Sequence, residues 1–210
     1  MHSAVELRAD HDLTSVPALV QGSVKLGLLE AVIVLVISLI SRLLPLGLLQ
    51  TALLAAALVL GLAAVTLLPG LWTRPRTIEG IAGAAGIGLG AAVVFLLIDV
   101  TLLQNIGTYG HRWFDIGGGS NWWYHPIWWM VGTFIPWMGA WSLANQLAKG
   151  GTASAGSAYG MAPACAVVVA VVAVVIHFPG AGWNLPTFGV AFLPGLALAT
   201  LLTGLGAKRA

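Results

Sequence analysis

Six long apolar runs, broken only by short clusters of Gly, Pro and polar residues, constrain this chain more than any other feature. They cover roughly residues 24–44, 48–69, 79–104, 126–147, 161–178 and 185–206. A helix rises 1.5 Å per residue, so about 20 apolar residues cross the ~30 Å hydrocarbon layer of a bilayer. Lipid offers no hydrogen-bond partners to an open backbone, so each run is predicted to be a helix. Charge agrees with this, because only 8% of the residues are charged, against about 25% in a soluble domain. The expected fold is an all-α integral membrane protein, a bundle of about six transmembrane helices. A polar arm over 1–23 precedes the helical domain at 24–206, and a basic tail over 207–210 follows it. The breaks are predicted at Pro45-Leu46-Gly47, at Pro69-Gly70 to Pro75, over 105–125, in the Gly- and Ser-rich 150–157 segment, and at Pro179-Gly180 with Pro186.

Orientation follows from Lys and Arg, which favour the cytoplasmic side. One side holds Arg8, Lys25, Arg74, Arg76, Lys149, Lys208 and Arg209, and the other holds Arg42 and Arg112. Both termini are therefore expected in the cytoplasm, with the chain in the inner or plasma membrane. The N-terminus lacks the basic-then-apolar order of a cleavable signal, so the first span is expected to act as its own insertion signal. A formal charge of +2 is too small and too dispersed for a nucleic-acid surface. The lone Cys165 allows no intrachain disulfide and no cysteine metal cluster.

The chemistry is concentrated between Tyr109 and Trp129, which carry two of five histidines, Arg112, Asp115, Gly117-Gly118-Gly119 and five tryptophans. This segment is expected to be an extracytoplasmic loop. The topology brings His111, Asp115, His125, His177 and Asp99 to its side. Imidazole and carboxylate are ligands for copper, zinc or iron, and they also bind a quinol head and take its protons. The spacing matches no metal signature, and His125, His177 and Asp99 equally suit helix ends in the headgroup layer. Trp122, Trp123, Trp128 and Trp129 fit an interfacial aromatic belt. Trp137 and Trp141 lie deeper and share a helix face with Trp129 and Thr133. That stripe, beside a Pro136 expected to bend its helix, would line a pocket for a flat cofactor such as a quinone or pack on a neighbouring subunit.

Gly80, Gly83, Gly86, Gly88 and Gly90 form a small-residue ladder, and Gly86 to Gly90 reads GxxxG. Close packing within the bundle is the leading reading of the ladder. Glu30 is expected to pair with Lys25 at the cytoplasmic interface, with a proton-relay role as the alternative; no span carries a chain of acids, which argues against a proton or sodium pump. A serine hydrolase built on Ser157 and His177 is excluded, since about 20 helical residues, some 30 Å, would separate them. A two-haem cytochrome b needs histidines at both depths, and here they lie on one side.

Three functions follow as expectations. The first is a structural or accessory subunit of a larger redox or energy-converting membrane complex, with membrane lipids and other integral subunits as partners. The second is a metal- or quinol-dependent membrane enzyme with its site on the outer face. The third, resting on size alone, is a vitamin-like uptake component.

Overall fold

The computed structural model describes residues 12–109, 124–149 and 155–206. Among these, the chain forms six α-helices and no strand: α1 (Val16–Leu43), α2 (Leu48–Thr73), α3 (Ile78–Ile98), α4 (Tyr124–Ala148), α5 (Ala155–Val175) and α6 (Leu185–Gly204). A π-helical turn, Asp99–Leu103, extends α3. Four of the segments are long and apolar enough to cross a membrane: α1, α2, α3 with its π-turn, and α6. Within α5 the apolar stretch is shorter, Tyr159–Val175. No Asp, Glu, Lys or Arg occurs along α4, but four tryptophans with Tyr, His, Asn and Gln hold down its hydropathy.

Three helix ends differ from the sequence reading by four residues or more: α5 begins at Ala155 rather than near residue 161, and the start of α1 and the end of α2 also move. α1 begins at Val16 rather than near residue 24, with Pro17 in its first turn, where a missing N–H costs nothing. The start is anchored by the preceding residues. Leu13 N donates to Thr73 O at 2.9 Å, and the Asp12 carboxylate accepts from the backbone N–H of Arg76, Thr77 and Gly80 and from the Thr77 hydroxyl. α2 does not break at Pro69 but runs through it to Thr73. The stop falls at Arg74, in the left-handed region at φ 49, because the following Pro75 disfavours a right-handed helical conformation there. Between α1 and α2, Gln50 is 6% exposed, and its Nε2 donates to Ser41 O and Leu44 O, which serves carbonyls the end of α1 leaves open.

Asp12 thus caps α3 from 64 or more residues away in sequence. Partial burial pushes its carboxyl up, but the hydrogen bonds from Thr77, Arg76 and Gly80 outweigh it and hold the carboxyl below the usual 3.8. A depressed folded-state value means that the stabilisation is complete above the unfolded value and is lost as pH falls through the folded one. Asp12→Ala should cost roughly 1 kcal/mol at neutral pH, as helix caps do. Thermal melts across pH should show the gap from wild type narrowing below about pH 4; a gap independent of pH would contradict this.

Consecutive helices run in opposite directions. Gly27 of α1 lies against Ala91 and Val94 of the parallel α3, and Gly61 of α2 lies against Ile33. Gly132 of α4 meets Ala92 and Gly88 of α3, and Gly139 meets Thr66 of α2. Ser142 and Thr200 share a 2.9 Å hydrogen bond between α4 and α6, while Asn145 Nδ2 donates to Thr200 O at 3.1 Å. α5 packs mainly on α6, where Gly195 meets Ala166. The start of α1 and the end of α6 therefore lie at the same end of the bundle. That end carries Lys25, Arg74, Arg76 and Lys149, and the opposite end carries Arg42.

Candidate functional site

The site at the end opposite the basic one is built on Asp99. Here α3 widens by one residue, and Gln104 N donates to Asp99 O at 2.9 Å across five residues. π-turns of this kind re-aim side chains and recur at functional sites. Asp99 is fully buried. Gln104 Nε2 donates to its Oδ2 at 2.7 Å, and the Tyr109 hydroxyl donates to its Oδ1 at 2.5 Å. Both partners follow Asp99 closely in sequence, so the π-turn folds the chain back over its own carboxylate. Tyr109 and Trp128 pack on Ala31, Phe95, Leu96 and Leu103, with the Phe95 and Trp128 rings 4.6 Å apart. Ser38 Oγ of α1 donates to Thr108 O at 2.6 Å and ties the turn to that helix.

The other predicted residues fall differently. His111 and Asp115 lie outside the described residues, as does the side chain of His125, whose backbone is in the first turn of α4. His177 follows α5 in the left-handed region at φ 55 and is exposed on the α5–α6 connection. Asp99, by contrast, is enclosed by the α3 end and the π-turn. Among the described residues, no three His, Cys, Asp or Glu side chains come together in a way that could hold a metal ion.

Trp129, Thr133 and Trp137 share one face, as their spacing predicts, and with Met130, Phe134 and Leu193 they line an apolar groove of about 580 Å³ on α4 and α6. Trp129 is 48% exposed and Trp137 40%. Trp141 is half-buried against the α4–α5–α6 core and stacks on Trp137 with centroids 6.0 Å apart. Pro136 lies inside α4 and packs against Gly88 of α3.

Glu30 corrects one expectation. It is only 7% exposed, whereas Lys25 is exposed and forms no ion pair with it. Five residues along a helix turn through about 500°, which leaves the two side chains roughly 140° apart on the circumference. Glu30 instead shares the buried side of α1 with Leu26, Gly27 and Ala31. The signal was present in the helical period, since Gly22, Ser23, Leu26 and Gly27 mark the packed face.

Fold and site together define an all-helical protein, four of whose helices are long and apolar enough to cross a membrane, with a buried carboxylate at one end. The chain matches no protein-family model, and neither a curated protein nor a solved structure matches it.

Proposed function

We propose that the chain is an integral, six-span membrane subunit of a larger redox or energy-converting assembly, with both termini in the cytoplasm and an apolar partner seated on the Trp129–Trp137 groove. Trp137 carries this reading. It lies near the middle of α4, where it is 40% exposed. Tryptophan in membrane proteins belongs at the water–lipid interface, so an exposed Trp137 at mid-depth, stacked on the half-buried Trp141, suits a packed partner better than fluid lipid. Orientation is supported by Lys25, Arg74, Arg76 and Lys149 gathering at one end. Buried acids in so charge-poor a bundle favour an energy-converting role over a purely architectural one.

A photo-crosslinking residue placed at 137 should yield a discrete protein adduct in native membranes. The same residue at Leu60, 70% exposed on α2, should yield lipid adducts. Lipid adducts at both positions, together with a monomeric native protein, would remove the assembly reading. A quinol-dependent reading draws on the same groove, whose apolar lining and volume of about 580 Å³ fall within the usual range for ligand cavities. It requires a quinone in the lipid extract of the purified protein that is lost in Trp137→Ala.

A further inference from the structure

We infer that Glu30 is an internal proton-binding site, loaded from the basic end of the bundle. The carboxyl sits midway along α1, about 20 Å from either end of that helix at 1.5 Å per residue. Its Oε2 is buried with no hydrogen-bond partner among the described residues. One turn earlier, Leu26 packs with Ile87 and Ala91 of α3, against Val65 and Trp72 of α2. Just beyond Glu30, Ile33 meets Gly61 of α2. The carboxyl therefore faces the region between α2 and α3.

Among the described residues, no titratable side chain stands ready to neutralise it there. α2 carries no ionisable side chain. α3 carries Glu79 in its first turn, and Asp99 beyond it is held by Gln104 and Tyr109. On α1 itself, Lys25 is exposed and Arg42 is in the last turn. An unpaired carboxylate in so apolar a place is far costlier than the neutral acid, so Glu30 holds a proton, and ionising it means delivering that proton to water.

A route to water begins one layer away. At the basic end, a cavity of about 440 Å³ has a mixed wall, polar at Asp12, Ser15, Gln21 and Lys25 and apolar at Leu71 and Trp72. A side chain added at Gly22 would meet Ile87 and Trp72, and these pack with Leu26, so the Leu26–Ile87 cluster lies behind the Gly22–Trp72 part of the cavity wall. Glu30 lies one helical turn behind it. The reversible step is carboxylic acid to carboxylate plus a proton, released to and recovered from water in that cavity whenever the cluster parts. The inference takes the membrane setting from the proposed function but needs no partner subunit.

The test uses the purified full-length chain in lipid vesicles, so loss of the assembly reading would not touch it. Infrared spectra of wild type minus Glu30→Gln should show a protonated-carboxyl band that belongs to Glu30 and shifts in D2O while the protein stays folded. Trp72→Ala should speed that shift. Dicyclohexylcarbodiimide, which modifies protonated carboxyls in apolar surroundings, should label Glu30 in the unmutated chain, and labelling should fall as pH rises. A band absent from the difference spectrum, a band that resists D2O until unfolding, or an unlabelled Glu30 would each overturn the inference.

Discussion

Gly88→Ala should destabilise the bundle by about 3 kcal/mol or more, at the upper end of overpacking costs, while Gly86→Ala two residues earlier should leave it unchanged or slightly more stable. A Cβ on Gly88 would stand 2.1 Å from Gly132 O and 2.6 Å from Pro136 Cγ. A flexible side chain could swing away from such a contact, but a backbone carbonyl and a proline ring inside α4 cannot. The helices would have to separate, and the same seam carries the Phe95–Trp128 contact that supports the Asp99 site. Gly139→Ala should be similarly severe, since its Cβ would lie 1.9 Å from Thr66 O. Gly86 has nothing within 4 Å of the corresponding position, so alanine there adds only helix propensity, worth up to about 1 kcal/mol. Thermal unfolding of the purified protein, followed by tryptophan fluorescence, measures all three. Equal melting temperatures for Gly88→Ala and Gly86→Ala would show that the α3–α4 seam is not close-packed.

Asp99→Ala should be the most damaging single change at the opposite end. It removes an acceptor from both the Tyr109 hydroxyl and the Gln104 amide. A buried donor left without a partner costs about 1–3 kcal/mol, so a loss of a few kcal/mol is expected. Asp99→Asn keeps one carbonyl oxygen and should lose less. Tyr109→Phe removes the hydroxyl's bond to Asp99 and should cost about 1 kcal/mol. The Asp99→Ala/Tyr109→Phe double variant should fall short of the sum, because both changes break the same contact. Full additivity in the melts would mean that the two residues do not interact in solution. An Asp99→Ala protein as stable as wild type would remove the carboxylate as the organiser of this end.

The helical class and the order of the elements were legible from the sequence, because a long apolar run has few stable backbones open to it. The sorting of Lys and Arg was legible for a related reason: alternating helices send alternate connections to opposite ends. Helix ends were less so. Val16–Ser23 looks like a polar arm on hydropathy alone, yet it is the first part of α1, anchored when Asp12 and Leu13 attach to the α2–α3 turn. Pro69 looks like a stop, yet α2 passes through it, and the adjacent Gly70 lies against Leu143 and Ala140 of α4.

At the candidate site the sequence placed Asp99 near a helix end but gave no sign that the chain would fold back over it through a π-turn. It also singled out the glycine ladder without telling its members apart. Gly83 serves Thr14, Leu19 and Thr73, Gly88 serves α4, Gly90 serves Ser23, and Gly86 serves nothing. The pairing of Glu30 with Lys25 failed because proximity along the chain was taken for proximity around the helix. By itself, then, the sequence determined that this chain is a set of apolar helices with most of its Lys and Arg sorted to one end, since hydropathy and charge are properties of each segment alone. Tertiary structure decided which glycines allow close approach, which carboxylates are enclosed, and which tryptophans remain on the surface, because each depends on the neighbour that a helix face meets.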